Sequence, residues 1–220
     1  MSYFPRMQQR PFVLGICGGS GSGKTSLTRA LQRAAGRDGC SVVDHDSYYR
    51  DLSDRPLSAR ERVNFDHPDS LDNALLAEHL GALQRGAPVE RPVYDFATHT
   101  RTGQTKQVEA RALVICEGIL ILAVPELRRR LDLSVYVDAP ADVRALRRVQ
   151  RDVDERGRTV ASVVSQYLKT VRPMHDQFVE PAKGAADVVL DWRRTPDEQA
   201  QAVLDRVRAL RGAARAEAAT

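Results

Sequence analysis

The 220-residue chain is 42% hydrophobic and 28% charged, which is ordinary for a soluble globular protein and ample for one buried core. Its formal net charge is +4, yet only four of its 33 basic residues are Lys. Because Arg suits bidentate phosphate recognition, a small polyphosphate explains the basic excess as well as a duplex would, and we predict neither nucleic acid nor a membrane as a partner.

No targeting or membrane-spanning segment is predicted. Residues Met1 to Pro11 are polar and contain proline, unlike a signal peptide. The longest apolar stretch, Ala112 to Val124, is interrupted by Glu117 and is too short to cross a bilayer. Reduced thiols in a cytoplasmic protein are predicted at the three unevenly spaced cysteines, Cys17, Cys40 and Cys116.

The first predicted elements are a strand at 12–17, a glycine-rich loop and a helix at 26–35. The loop reads Gly18-Gly19-Ser20-Gly21-Ser22-Gly23-Lys24-Thr25. Glycines let backbone N–H groups converge on one anion, Lys24 reaches the β- and γ-phosphates in such a loop, and the Thr25 hydroxyl lies on Mg²⁺. A flexible Gly/Ser linker is the alternative, but this motif arises by chance only about once in a hundred chains of this length. The pattern therefore predicts a nucleoside-triphosphate site.

The rest of the chain alternates apolar runs with helical patterns. In chain order these predict a strand at 41–43, a polar loop at 47–70, a helix at 71–83, a hairpin at 89–108, strands at 113–116 and 133–138, helices at 142–155, 160–171 and 174–179, a strand at 186–190, and a helix after the capping box at 195–198. The hairpin is predicted to turn at Thr102-Gly103. Buried strands that alternate with helices indicate an α/β fold with a parallel sheet covered on both faces.

Two carboxylates are predicted at the ends of neighbouring strands. Asp46 follows the strand at 41–43, and Glu117 follows the strand at 113–116. Ligands of parallel α/β sheets bind at the carboxyl ends of the strands. Beside a phosphate loop, the pair suits one Mg²⁺ ligand and one base for an acceptor hydroxyl. Each residue alone is equally an ordinary strand-end carboxylate.

Arginines recur along the helix predicted at 142–155. Arg144, Arg148 and Arg151 fall on one stripe and the apolar residues on another, and Arg156 and Arg158 follow the helix. Converging guanidinium groups stabilise the charge that spreads over a transferred phosphoryl group. On spacing alone, a solvated basic face explains the pattern as well.

Together, these motifs carry a resemblance to one enzyme family. In order, the segments are 18–25, Asp-Ser-Tyr-Tyr at 46–49, Asn-Phe-Asp-His-Pro at 64–68, Pro-Val-Tyr-Asp-Phe at 92–96, His-Thr-Arg at 99–101, Glu-Gly-Ile-Leu at 117–120, Arg-Asp-Val-Asp-Glu-Arg-Gly-Arg at 151–158 and Gln-Tyr-Leu-Lys-Thr-Val-Arg-Pro at 166–173. The chain resembles the uridine–cytidine kinases from about Phe12 to Leu190. The phosphate loop alone names only a superfamily, whereas the ordered set is specific.

The resemblance implies a P-loop nucleoside-kinase fold of three layers, with a five-stranded parallel sheet, helices on both faces, a β-hairpin insertion and an Arg-bearing lid. A single domain over 1–220 is expected, with the hairpin at about 88–109, the lid at about 148–160, the C-terminal helix at about 195–211 and a frayed tail at 212–220. The implied reaction transfers the γ-phosphate of ATP or GTP to the 5′-hydroxyl of uridine or cytidine, giving UMP or CMP in pyrimidine salvage. A cytoplasmic homotetramer is the implied assembly.

The resemblance also assigns roles to matching positions. Asp46 matches the base that takes the 5′-hydroxyl proton. The implied Mg²⁺ site comprises Thr25, Glu117 and Asp46. Besides Lys24, the implied phosphate contacts come from Arg151 and Arg156. The implied nucleoside site comprises Phe65, Asp66, Tyr94, Phe96, His99, Arg148, Arg158 and Gln166.

Other functions compete with a nucleoside kinase at this point. A kinase with a sugar-phosphate acceptor, such as a phosphoribulokinase, needs extra basic residues at the acceptor pocket, whereas the acceptor stretches here are aromatic and acidic. A nucleotide-binding switch needs no base at Asp46. Taken alone, Tyr94 and Phe96 suit ordinary hairpin packing and His99 a surface position. The family commonly continues after its last strand with Pro-Arg-Gly, whereas residues 190–196 read Leu-Asp-Trp-Arg-Arg-Thr-Pro, so the resemblance does not decide between ATP and GTP.

Overall fold

The computed structural model of the protein describes residues 10–36 and 38–218. The polar start of the chain (1–9) and the last two residues of the predicted tail lie outside the described residues. The strands are β1 Phe12–Cys17, β2 Cys40–Asp44, β3 Val89–Asp95, β4 Thr100–Val108, β5 Leu113–Glu117, β6 Leu133–Asp138 and β7 Val188–Asp191. The α-helices are α1 Lys24–Ala35, α2 Leu57–Arg60, α3 Asn73–Gln84, α4 Pro125–Arg128, α5 Ala141–Asp154, α6 Val160–Gln166, α7 Arg172–Met174, α8 Glu180–Ala182 and α9 Pro196–Ala218.

Five strands form one parallel sheet in the order β2-β5-β1-β6-β7. The central strand β1 is buried along its whole length because it is paired on both edges and covered on both faces. Its register places Ile16 opposite Glu117, and Asp44 of β2 lies opposite the same glutamate. The predicted fold class is thereby confirmed, and the ends of β1, β2 and β5 meet at one edge of the sheet.

Alternate residues of the strands supply two cores. Leu14 and Ile16 face a layer built from α1 and α9, where Leu31 and Leu204 are buried. Val13 faces the opposite layer, built mainly from α3, α4 and the segment around α8. Because successive strand residues point to opposite faces, one apolar run serves both layers. The predicted three-layer arrangement is present.

Strands β3 and β4 form the predicted hairpin, but its turn differs from the prediction. The two strands are joined by residues 96–99, not by Thr102-Gly103. The Asp95 carboxylate accepts hydrogen bonds from the Ala97 N–H (2.8 Å) and from the Thr98 hydroxyl (2.7 Å), which closes the turn earlier. Gly103 has φ 76° and lies within β4, where the pairing with β3 shifts in register between Pro92 and Tyr94. It therefore forms part of a β-bulge.

Two helical regions also extend further than predicted. Helical structure continues from α6 to Ala185 through two π-helical turns at Tyr167–Val171 and His175–Val179. The helix α9 begins at the predicted capping box, in which Thr195 and Glu198 exchange hydrogen bonds, and it passes Gly212 to end at Ala218. The Ala-rich sequence after Gly212 has high helix propensity, which explains helix where a frayed tail was predicted. Across residues 10–36 and 38–218, no helix is both long enough and apolar enough to cross a membrane.

Candidate active site

The glycine-rich loop between β1 and α1 follows a path that requires glycine. At Gly18 (φ 141°) a Cβ atom would lie 2.6 Å from the Val137 carbonyl oxygen, and at Gly21 (φ 82°) it would lie 2.4 Å from the Arg144 carbonyl oxygen. Both contacts are with backbone atoms, which cannot move aside as a side chain can. The loop is therefore packed tightly on β6 and α5. Such packing is typical of a preformed phosphate cradle and excludes a flexible linker.

Lys24 begins α1 directly after Gly23 and folds back over the loop. Its Nζ donates hydrogen bonds to the carbonyl oxygens of Gly18 (3.0 Å) and Gly19 (3.1 Å). Burial lowers the pKa of the Lys24 ammonium, and the carboxylates of Glu117 and Asp46 oppose that shift. A buried cation thus lies between the cradle and the acidic edge of the sheet.

Thr25 and Glu117 meet at the mouth of the cradle. The Thr25 hydroxyl donates to Glu117 Oε1 at 2.6 Å, although the two residues are far apart in the chain. The contact arises because β5 lies next to β1, so that the strand end carrying Glu117 reaches the start of α1. A hydroxyl and a carboxylate oxygen are hard ligands of the kind that Mg²⁺ prefers.

Asp46 lies in the short 3₁₀ turn His45–Tyr48 that follows β2. Burial raises the pKa of its carboxyl, and the charge of Lys24 opposes that rise. Asp44 supports the turn by accepting the Asp46 N–H at 3.1 Å, and burial together with the charge of Asp46 raises the pKa of Asp44 to about 7. Within residues 10–36 and 38–218, no group of three or more His, Cys, Asp or Glu side chains is arranged to hold a metal ion on its own.

The aromatic residues of the predicted nucleoside site form one cluster. Tyr49, which was named above only as part of the motif at 46–49, lies at the centre of this cluster. Its ring centroid is 5.3 Å from those of Phe65 and Tyr94, and 6.4 Å from that of Phe96. Phe96 is itself largely exposed. Edge-to-face and tilted contacts of this kind stabilise aromatic pairs and leave ring faces available.

His99 reaches the same cluster from the tip of the hairpin. Its ring stacks on Phe65 with centroids 4.7 Å apart and planes inclined by 18°. Among the described residues, His99 alone combines a non-glycine side chain with positive φ, at 54°. Such a conformation is held by its surroundings and is often found at functional sites. Burial lowers the pKa of the imidazole, which favours its neutral form.

Asp66 is a buried carboxylate beside the aromatic cluster. Its Oδ2 accepts a hydrogen bond from the Thr170 hydroxyl at 3.1 Å, and its own N–H donates to Asn64 Oδ1 at 3.2 Å. Burial raises the pKa of Asp66, and the positive charge of Arg148 opposes that rise. The residue therefore presents further acceptor capacity in a poorly hydrated place.

Arg148 connects the phosphate cradle with the acceptor side. One Nη donates to the Ser20 hydroxyl in the cradle at 2.8 Å, and the other donates to Gln166 Oε1 at 3.0 Å. Arg158 donates to the same Gln166 oxygen at 2.6 Å. The structure thus brings together three of the predicted nucleoside-site residues, but one of them also contacts the cradle.

The predicted phosphate contacts Arg151 and Arg156 gather around Asp152, which the sequence analysis did not single out. Asp152 is 0% exposed, and its carboxylate lies 2.8 Å from Arg151 Nη2 and 3.3 Å from Arg156 Nη1. Only its place within the Arg-rich stretch could have drawn attention to it, because an acidic residue on a basic helix is usually the partner of an ion pair at the surface.

Helix α5 turns its charged face inward. Arg144, Arg148 and Asp152 are its buried residues, whereas Leu146 is 71% exposed. A solvated basic face, the alternative left open by spacing, is therefore wrong for Arg144 and Arg148. Sequence reasoning also missed Arg144 as a support of the cradle: its Nε donates to the Ala139 carbonyl at 2.9 Å, and a Cβ at Gly19 would lie 2.4 Å from its Nη1.

On the far side of the cradle, Trp192 follows β7. The Arg147 guanidinium carbon lies 5.3 Å from the Trp192 ring centroid, and the backbone N–H of Trp192 donates to the Asp138 carbonyl at the end of β6. The pair is a cation–π contact at the edge of the sheet where ligands of α/β folds bind. It occupies the segment in which the sequence departs from the family pattern.

Comparisons with known proteins agree with this geometry. Residues 13–199 match the sequence model of the Phosphoribulokinase / Uridine kinase family. The chain is 52% identical over 183 residues to a uridine kinase of Chloroflexus aggregans, covering 83% of this chain and 88% of that protein. It is 53% identical over 181 residues to a uridine kinase of Deinococcus deserti, covering 82% of this chain and 87% of that protein.

A solved structure adds support for the fold alone. A D-glycerate 3-kinase from Cryptococcus neoformans superposes with a TM-score of 0.61 at 17% identity, covering 88% of this chain and 90% of the other. Identity at that level carries the fold and not the substrate. The family match and the curated relatives each extend over more than four-fifths of the chain. The chain belongs to the Phosphoribulokinase / Uridine kinase family.

Proposed function

We propose that the protein is a nucleoside kinase that transfers the γ-phosphate of ATP or GTP to the 5′-hydroxyl of uridine and cytidine, giving UMP and CMP. The observation that carries the proposal is the meeting of Lys24, Glu117 and Asp46 at one edge of the sheet. Uridine kinases at about half identity support the same acceptor. A role in pyrimidine salvage follows from that reaction.

The triphosphate is assigned to the cradle of residues 18–25 and to Arg156. Backbone N–H groups and the start of α1 bind the β-phosphate region, and Lys24 shifts from the loop carbonyls to the β- and γ-phosphates. Because the acidic edge lies towards β5 and β2, the γ-phosphate points that way and the donor's nucleoside extends towards β6 and β7. We therefore assign its base to the surface of Trp192 and Arg147, because their cation–π pair suits either purine.

Mg²⁺ is assigned to Thr25 and Glu117, with Asp46 nearby. A hydroxyl and one or two carboxylates, completed by phosphate oxygens and water, are the usual protein contribution to a Mg²⁺ site in phosphoryl transfer. When bound, the ion neutralises charge that develops on the bridging and γ-phosphate oxygens. The fit rests on the Thr25–Glu117 contact of 2.6 Å, which brings two oxygen donors to the cradle mouth.

Asp46 is assigned as the base. Its carboxylate accepts the proton of the 5′-hydroxyl while that oxygen bonds to the γ-phosphorus and the bond to the leaving ADP or GDP breaks. A pKa raised by burial makes the carboxylate a stronger proton acceptor than an exposed aspartate. Arg151 is assigned to the transferred phosphoryl group, whose charge a guanidinium stabilises.

The nucleoside is assigned to the aromatic cluster and Asp66. Asp66, an acceptor without donors when ionised, suits a vicinal diol, and Arg148 lies beside it. The pyrimidine is assigned to the rings of Phe65, Tyr94, Phe96 and His99, with Arg158 and Gln166 at the border. The carboxylate and the aromatic rings favour a nucleoside, whereas a sugar-phosphate acceptor needs basic residues beyond Arg148 and Arg158.

One assay tests the proposal. ADP release from Mg·ATP is measured alone and with uridine, cytidine, purine nucleosides and ribulose 5-phosphate. We expect turnover with the two pyrimidine ribonucleosides only, and a loss of kcat of about 10²–10⁴ in Asp46→Asn. Turnover with the sugar phosphate instead, or near-normal turnover in Asp46→Asn, refutes the assignment. The homotetramer and the cytoplasmic location stay predictions, of which light scattering of the purified protein checks the first.

A further inference from the structure

The carboxylate of Asp152 is enclosed by four arginines. It lies 2.8 Å from Arg151, 3.3 Å from Arg156, 3.4 Å from Arg158 and 3.7 Å from Arg148. Arg151 reaches Oδ1 with both Nε (3.0 Å) and Nη2, while Arg158 also donates its backbone N–H to the Asp152 carbonyl at 3.1 Å. With 0% exposure, the carboxylate contacts no solvent.

The charges of this group do not balance. Guanidinium groups stay protonated in proteins, so four positive charges surround one negative charge, and the nearby carboxylates of Asp66 and Asp46 offset that excess only in part. A buried aspartate needs one bidentate arginine, or a few hydrogen bonds, to be satisfied. Three of these arginines keep part of their side chain accessible: Arg151 (33%), Arg156 (52%) and Arg158 (28%). The carboxylate therefore gathers more cations than its own burial requires.

The gathered arginines lie next to the phosphate cradle. Arg148 donates to Ser20 in the cradle, and Gln166 accepts from both Arg148 and Arg158. The group is thus tied to the cradle on one side and to α6 on the other. Because Asp152 is fully buried, its carboxylate is not open to direct contact with a ligand in the cradle.

We infer that Asp152 is a positioning residue for phosphoryl transfer: it holds these arginines together before substrate arrives and lowers the positive charge that a bound polyphosphate meets. The inference rests on the proposed function and deepens it. Electrostatic catalysis is strongest when the charges are already placed, because no reorganisation is then needed as the phosphoryl group transfers. The same carboxylate cancels part of the charge of the arginines, so a bound polyphosphate is held less tightly than four unopposed arginines would hold it.

This role has a signature that a purely structural role lacks. Replacing Asp152 by Asn removes the negative charge and keeps the size of the side chain. The arginines then repel one another and lose their common anchor, so kcat should fall about 10- to 100-fold. A polyphosphate in the cradle meets one more net positive charge, so its affinity should be unchanged or rise. A residue needed only for folding would weaken both together.

The experiment measures kcat and the competitive inhibition constant of inorganic tripolyphosphate against ATP in the wild type, Asp152→Asn and Asp152→Glu. Asp154→Asn, an exposed change of the same kind at the end of α5, is the matched control. We expect Asp152→Asn to lose kcat and keep or gain tripolyphosphate affinity, Asp152→Glu to lose kcat with little change in that affinity, and the control to match the wild type. Thermal melts establish that each variant is folded.

Three results overturn the inference. One is an Asp152→Asn that behaves like Asp154→Asn. Another is a proportional loss of kcat and tripolyphosphate affinity. The third is unfolding of both Asp152 variants, which makes the carboxylate a requirement of the fold. If tripolyphosphate fails to compete with ATP in the wild type, the assignment of the cradle and its arginines to phosphate fails instead, which separates the two conclusions.

Discussion

Removing one ribose hydroxyl from the acceptor tests the role proposed for Asp66 without altering the protein. The side chain is 9% exposed, and its Oδ2 already accepts one hydrogen bond, from Thr170 at 3.1 Å. A carboxylate has about four lone-pair directions on its two oxygens, so capacity remains for the two hydroxyls of a ribose. The pKa of Asp66 is raised by burial, which means that water solvates the charge poorly.

The magnitude follows from that environment. A hydrogen bond to a charged group contributes about 1.5–3 kcal/mol, and 2′-deoxyuridine leaves the acceptor without one of its donors. We therefore expect kcat/KM for 2′-deoxyuridine to be about 10- to 150-fold below that for uridine. The 2′-hydroxyl does not itself react, so its loss should appear in both kcat and KM.

The assay is steady-state ADP release with the two nucleosides in the wild type, Asp66→Asn and Asp69→Asn. The control residue Asp69 is a carboxylate three positions on, with 93% of its side chain exposed. The preference for uridine should shrink in Asp66→Asn, because an amide binds a diol less strongly, and persist in Asp69→Asn. Equal kcat/KM for the two nucleosides in the wild type, or an undiminished preference in Asp66→Asn, refutes the reasoning.

Three further predictions concern metal, base and pH. Glu117→Gln should raise the Mg²⁺ concentration for half-maximal rate by at least about tenfold, because loss of even an outer-shell partner of a metal reduces its affinity by that factor. An unchanged Mg²⁺ titration would show that Glu117 is not in the metal site. His99→Leu should weaken turnover of uridine and cytidine alike by about 1–3 kcal/mol in kcat/KM, since a neutral imidazole can serve either base; a variant that loses nothing contradicts this. Burial lowers the pKa of His45 to about 4, whereas in the unfolded chain the pKa is about 6.5. The neutral imidazole therefore contributes its full stability above pH 6.5, and that contribution is lost as the pH falls towards 4. Denaturant unfolding in EDTA should show the wild type losing about 2 kcal/mol more than His45→Gln between pH 7.5 and pH 5, and parallel losses would exclude His45 as the cause.

Much of the fold can be predicted from the sequence because its strands are buried on both faces. The strands β5 and β6 are mostly apolar, and the cradle needs glycine at positions such as Gly18 and Gly21, where backbone atoms would lie within 3 Å of a Cβ. These constraints are local, so a pattern of residue types expresses them. The neighbouring strand ends then bring Asp46 and Glu117 to the same edge without further information.

The face of α5 that is buried cannot be predicted from the sequence in the same way. Its period is correct, yet Arg148 and Asp152 point inward while Leu146 is 71% exposed. Periodicity identifies the stripes of a helix but not which stripe meets the protein, and here the surface that α5 covers is a polar loop. The prediction of the hairpin turn was wrong for a related reason. Glycine at position 103 is typical of a turn, but hydrogen bonds to the Asp95 side chain form the turn earlier in the chain.

Arg148 touches both halves of the site, through Ser20 in the cradle and Gln166 beside the acceptor pocket. A guanidinium is planar and rigid, so a shift that improves one of these contacts moves the other. The donor and the acceptor therefore adjust the same side chain, and each should alter the affinity for the other. Thermodynamic linkage makes that effect reciprocal: the factor by which a bound nucleoside changes the Kd of the triphosphate equals the factor by which the triphosphate changes the Kd of the nucleoside.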